Sequence, residues 1–314
     1  MMCQSPCRQG RSIKSPVWQA VALAIAGGGF LWLLAVGSPA SADDKVAFDD
    51  PSLSIGVEGR ISVKTRFKKY LELLNADDER AAVYVSPDFK IDAPDAPDLA
   101  AMLRNPQRAR VRLIPSDILL DDSGNMLSAL ISFLPEEGAR NKVPTNRTAF
   151  FTLDFGRIRS VRIAREGSQY IPGNGASVSR SIVRKEALPA SAFQPFMTRA
   201  KFEDYLRLFG AFDERYVLYY HPEIIFGIQP AAQPLYGREE ILQLYRPLRK
   251  VLDESVAINA IVIDSERGAM AVEISNTMTA TASVKISTLS MHRGDRRIAS
   301  GVVFYELKDG SIIE

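Results

Sequence analysis

The sequence predicts an α+β protein: two tandem cone-shaped domains, each with about three helices packed on a curved antiparallel sheet. Three observations lead there. Two stretches of the chain repeat each other at a fixed offset. Each repeat opens with apolar residues at helical spacing and ends in strand-like runs. The length of 314 residues suits two domains. A composition of 46% hydrophobic and 24% charged residues excludes a disordered, collagen-like or disulfide-dense chain.

Residues 1–42 read as a signal peptide. Arg8, Arg11 and Lys14 precede an apolar run from Val17 to Val36, and the small residues Ala40 and Ala42 come just before Asp43 and Asp44. Cleavage near Ala42 would leave a periplasmic or secreted protein. An uncleaved run would be a membrane anchor, since about 20 apolar residues can span a bilayer, and this would be the chain's only route to a membrane. Neither Cys3 nor Cys7 follows the apolar run, so a lipoprotein-type cysteine at the cleavage point is absent. The segment holds three of the 39 basic residues and none of the 37 acidic ones, so the remainder carries a formal charge of −1. That balance gives no electrostatic support for nucleic-acid binding. Both cysteines lie in the segment too, so beyond it there is no thiol nucleophile, disulfide or thiolate metal site.

Residues 43–60 form a polar lead-in, 61–166 the first domain, 167–197 a linker with one short ordered piece, and 198–314 the second domain. The repeat is clearest between Phe67–Ile91 and Phe202–Phe226, where ten of 25 positions are identical at an offset of 135, among them Tyr70/Tyr205, Asp78/Asp213, Arg80/Arg215 and Pro87/Pro222. A later match sets Phe150–Ile158 beside Phe304–Ile312. In the second domain Phe202, Tyr205, Leu206, Leu208 and Phe209 mark a helix with one apolar face. Asp213–Tyr220 reads as a short helix closed by Pro222, and Ile224–Ile228 is β-rich. Gly237-Arg238-Glu239-Glu240 opens a third helix, in which Pro247 should start a bend. Four strands follow, over Val256–Ile263, Ala269–Thr279, Ala282–Met291 and Ile298–Leu307, with turns at Glu266-Arg267-Gly268 and Arg293-Gly294-Asp295. The sheet should curl around the helices and leave a conical pocket.

The stretches Phe209–Asp213, Tyr220–Phe226, Gly237–Ile241 and Phe304–Ile312 together resemble the SnoaL-like branch of the nuclear transport factor 2-like superfamily. The resemblance covers nearly all of residues 198–314. It is weaker over about 60–166, where Asp98–Leu103 stand in place of the Gly-Arg-Glu helix start. That family includes isomerases, cyclases, dehydratases, epoxide hydrolases and non-catalytic binding modules, and fold alone does not choose among them. Tyr70 and Tyr205 match the first-helix tyrosine that, in the ketosteroid isomerase relatives, donates to an enolate oxygen; the alternative is core packing. The positions where that comparison expects a general base carry Ile228 and Ala93, and those of the second carboxyl carry Val302 and Thr148, which argues against proton abstraction of that kind.

Other candidates are read from the residues themselves. His292 ends a strand and could serve as an acid–base group near neutral pH, whereas His221 reads as a turn residue. Phe226, Tyr236, Tyr245 and Asn276 would line a pocket for a medium-sized, mainly apolar ligand, if they are not core. Two isolated histidines make no zinc pattern, the acidic stretch Asp92–Asp98 lacks a calcium-loop pattern, and no nucleotide-binding or hydrolase-elbow motif occurs, so no metal or cofactor is expected. The basic run Arg104, Arg108, Arg110 and Arg112 reads as a solvated face. The expected function is binding of a small, mainly apolar ligand or a protein partner. The alternative is a cofactor-free isomerase, cyclase or dehydratase using Tyr205 and His292. The open sheet face also allows a dimer between chains or pairing between the two copies.

Overall fold

The computed structural model describes residues 57–93, 95–136, 144–173, 187–227, 234–286 and 289–314. Residues 1–42, read as a signal peptide, therefore lie outside the described residues, as does Ile228. No helix among the described residues is long and apolar enough to cross a membrane.

The N-terminal half begins with α1 (Val57–Asn75), which starts inside the stretch read as lead-in. Its buried residues Val63, Phe67, Tyr70, Leu71 and Leu73 follow helical spacing. A 3-10 turn, Glu79–Tyr84, follows, capped by the Asp78 carboxylate, which accepts from the Arg80 amide. Next come β1 (Val85–Asp92), α2 (Pro97–Arg104), α3 (Pro106–Ala109), β2 (Val111–Leu120), β3 (Met126–Pro135), β4 (Thr145–Asp154) and β5 (Arg157–Ile163). The sheet order is β1-β5-β4-β3-β2. β1 runs parallel to β5, and every other pairing is antiparallel. Alternate residues Leu127, Ala129, Ile131 and Phe133 of β3 face the helices, and with Phe67, Tyr70 and Phe151 they form an apolar core. Arg104, Arg108, Arg110 and Arg112 are all exposed.

The stretch read as linker contributes β6 (Gly167–Ile171) and a 3-10 turn at Ala190–Phe193. The C-terminal half continues with α4 (Arg199–Gly210), a 3-10 turn at Glu214–Tyr219, β7 (Ile225–Phe226), β8 (Leu235–Tyr236), α5 (Gly237–Leu248), β9 (Leu252–Asp264), β10 (Ala269–Ala280), β11 (Val284–Ile286), β12 (Leu289–Met291), β13 (Arg296–Lys308) and β14 (Ser311–Ile312). Its sheet order is β14-β13-β10-β9, and β6 pairs with β13. One expectation needs correction. Ala282–Met291 is not one strand: β11 and β12 pair with each other as a hairpin. Pro247 lies inside α5, which ends one residue later, at Leu248.

The two sheets face each other. Leu119, Phe150 and Ala164 from the first meet Ala260, Val262, Ala271 and Val302 from the second in one apolar cluster. Two fully buried carboxylates flank it. Asp264 accepts from Lys64 Nζ at 2.8 Å, Arg60 Nη2 at 2.9 Å and the Leu120 amide at 3.1 Å. Glu273 accepts from Arg162 Nε at 2.7 Å and the Arg165 amide at 3.1 Å. Burial leaves β10 covered on both faces: Ala271 and Glu273 point at the first sheet, while Met270, Val272 and Ile274 point at their own helices.

Candidate functional site

The interior of the C-terminal half is built from aromatic side chains. Phe202, Tyr205 and Phe209 come from the inner face of α4, Tyr216 and Tyr220 from the 3-10 turn and the residue after it, Tyr245 from α5, Tyr305 from β13 and Phe226 from β7. The rings meet edge-on or tilted: Phe209 and Tyr216 at 5.2 Å, Phe209 and Tyr245 at 5.2 Å, Tyr205 and Tyr220 at 5.6 Å between centroids. The Tyr205 and Tyr220 hydroxyls share a hydrogen bond of 2.8 Å. Burial pushes both far above the ordinary tyrosine value, so each stays a neutral donor.

A polar group is set into this apolar wall. Arg249, at the end of α5, is 5% exposed. Its guanidinium lies 4.2 Å from the Phe209 ring centroid and 4.4 Å from that of Phe212, and Nη2 donates to the Phe209 carbonyl at 2.8 Å. Nη1 pairs with Glu254 Oε2 of β9 at 3.1 Å. The other Glu254 oxygen accepts from Asn276 Nδ2 at 2.8 Å. Asn276 stands on the face of β10 that carries Ile274 and Val272, because β9 and β10 pair Val256 with Asn276 and Glu254 with Met278. A bulge at Asn259 then shifts the register, so Glu254, Val256 and Ile258 turn inward before it and Ile261 and Ile263 after it. Tyr216 Oη and Asn276 Oδ1 are among the buried polar atoms without a hydrogen-bond partner. Burial is the main reason that the Tyr216 hydroxyl is raised, with Arg249 and Glu254 both close enough to act on it.

Of the residues expected at a site, Tyr205, Phe226, Tyr245 and Asn276 come together here. Tyr245 bridges them, with its ring 6.4 Å from Phe226 and 6.5 Å from Tyr216; burial raises its hydroxyl far above the ordinary range. Tyr236 does not join them: it is 60% exposed, preceding α5, where its amide donates to Glu240. Tyr70 belongs to the core of the other half, its hydroxyl pushed up by burial to about 12. His292 is exposed in the turn after β12, its backbone amide donating to Asp295 Oδ2 at 2.6 Å. His221 lies in the turn before β7, Nδ1 accepting from the Glu223 amide. Thr148 is buried on β4, and Val302 lies between the sheets.

Tyr216, Arg249 and Glu254 are functional candidates that the sequence reading lacks. The signal for Glu254 was alternation: Leu252, Glu254, Val256 and Ile258 continue one strand register, and the strand starts at Leu252 rather than at Val256. Among the described residues, no cluster of three or more His, Cys, Asp or Glu could hold a metal ion.

No family model matches the chain, and no curated protein does. Among solved structures, the chain is similar to a candidate polyketide cyclase from Xanthomonas campestris pv. campestris, with 14% identity over 36% of this chain and 83% of that one and a TM-score of 0.32. An LEH-like epoxide hydrolase of M. tuberculosis gives 16% identity over 36% of this chain and 75% of that one, with a TM-score of 0.29. TsrD from Streptomyces laurentii gives 17% over 37% and 86%, with a TM-score of 0.30. Each likeness spans little more than a third of the chain, and at these scores none assigns an activity to it.

Proposed function

We propose that this is an exported protein of two nuclear transport factor 2-like units in tandem, the second of which binds a small, mainly apolar ligand in its aromatic interior while the first serves as scaffold. The observation that carries the reading is the polar group of Arg249, Glu254 and Asn276, with Tyr216 Oη and Asn276 Oδ1 buried and without a hydrogen-bond partner, inside an otherwise apolar wall. Buried ion pairs and unpartnered polar atoms both work against stability. They are therefore expected where a ligand uses them.

Four geometric coincidences support the tandem origin. Asp77 and Phe212, at the offset of 135, both take left-handed backbone angles, with φ of 54° and 64°. Asp78 and Asp213 cap their 3-10 turns in the same way. Val85 pairs in parallel with Ile158, and Tyr220 with Ile312. The hairpin turns at Phe155-Gly156 and Asp309-Gly310 both have two positive φ angles. Export rests on the N-terminal sequence alone.

Native mass spectrometry of the chain isolated from its own cell envelope tests ligand binding. The expected result is a non-covalent adduct of small-molecule mass that is released on denaturation. A chain that carries no adduct, and takes up none from a panel of aromatic and aliphatic compounds, contradicts the reading.

The second reading, a cofactor-free isomerase, cyclase or dehydratase, is favoured by Glu254, a carboxylate inside the aromatic wall. It requires that Glu254→Gln retain ligand binding and lose turnover; equal turnover would remove it.

A further inference from the structure

We infer that the hairpin between β4 and β5 docks on an anionic lipid surface, with the Phe155 ring as the inserted group. This stands apart from the ligand-binding reading and gives the chain a second route to a membrane, besides its N-terminal apolar run. Phe155 and Gly156 both take positive φ, 45° and 72°. Turns of this kind favour Asn or Asp at the first place, because a bulky side chain is strained there. The β13–β14 hairpin follows that rule, with Asp309 at φ 50° before Gly310. Phe155 is also 90% exposed, more than any other large apolar residue among those described. A ring that is both strained and open to water gains nothing within the fold, so its gain comes from outside it.

The surroundings of the ring point to lipid. Val83, 52% exposed, comes two residues before Val85, which pairs in parallel with Ile158, so Val83 and Phe155 lie at the same end of the sheet. A Cβ on Gly156 would lie 3.2 Å from the Arg66 guanidinium, which places that cation beside the tip. Arg157 and Asp154 pair across the hairpin and are both exposed. These groups give the tip two cations against one anion, a balance that favours an anionic headgroup layer. An aromatic ring enters such a layer without needing a shaped pocket. A stable protein interface instead takes about 800 Å² on each side, of which one aromatic ring supplies about 200 Å².

Tryptophan fluorescence and vesicle flotation test this on the chain from Asp43 onward, which holds every described residue. Both tryptophans, Trp18 and Trp32, lie before that point, so Phe155→Trp carries a single fluorophore. Its emission should shift to the blue with phosphatidylglycerol vesicles. The unmodified chain should bind those vesicles about fivefold tighter than phosphatidylcholine ones, from one net charge, and high salt should shrink the margin. Phe155→Asp should bind about tenfold more weakly with no fall in its urea midpoint, since Asp suits a positive φ. An unshifted emission overturns the inference, as does a Phe155→Asp chain that floats as well as the unmodified one. A lower urea midpoint for Phe155→Asp also overturns it, because the ring would then serve the fold. Equal binding to both kinds of vesicle overturns the anionic preference. A shift with lipid-free envelope proteins but not with vesicles overturns it in favour of a protein partner.

Discussion

Arg249 and Glu254 show how much depends on single side chains in an apolar interior. With 5% and 9% of their side-chain surface exposed, each is the other's charge partner. Glu254→Ala leaves a guanidinium buried without its carboxylate, so the expected loss is about 3 kcal/mol, read from urea unfolding. Asp264 gives a pH signature. Its burial works to raise the carboxyl, but the Lys64 ammonium and the Leu120 and Arg267 amides outweigh that and hold it below its ordinary 3.8. A value lower in the folded than in the unfolded chain means stabilisation that is complete above 3.8 and is lost as the pH falls through the folded value. The urea midpoint should therefore drop on acidification below 3.8, and Asp264→Asn should be weaker at neutral pH with a shallower acid limb. The inward aromatic residues were legible in the sequence because helical spacing and strand alternation assign a face. Arg249 and Glu254 were not, because they sit where α5 passes into β9, and element ends are what periodicity defines least.

At the scale of elements, caps and turns explain why the chain changes direction where it does. Asp78 and Asp213 each accept from the amide two residues on and pair with the same arginine. Replacing Asp213 with Ala should cost about 1 kcal/mol in thermal or urea unfolding. The two hairpin glycines make a sharper comparison. Gly156 and Gly310 share a positive φ, 72° and 68°, but a Cβ on Gly156 would meet only the flexible end of Arg66 at 3.2 Å. On Gly310 it would lie 2.5 Å from the backbone of Pro195 and Phe196. Gly156→Ala should thus cost about 1 kcal/mol, and Gly310→Ala roughly twice that or more; equal losses would refute the packing account. Both turns were legible as glycine after a strand. The β11–β12 hairpin was not, because period-two alternation is the same whether a run stays straight or folds on itself.

For the whole molecule, the facing sheets tie the halves together through the apolar cluster around Leu119 and Val302 and through Asp264 and Glu273. Unfolding followed by far-ultraviolet circular dichroism and by tyrosine fluorescence should give coincident curves. Arg162→Ala, which leaves Glu273 buried without its main partner, should pull them apart. The repeat in the sequence announced two similar pieces, but which faces would meet depends on long-range pairings such as Lys64 with Asp264, 200 residues apart, that no local pattern carries. The central claim is that the C-terminal interior holds a small apolar ligand. Its most direct measurement is a nuclear magnetic resonance titration of the labelled chain with 2-naphthol. Saturable shifts confined to Phe226, Tyr245, Ile274, Asn276 and their neighbours are the predicted result; shifts centred in the N-terminal half, or none, would contradict it.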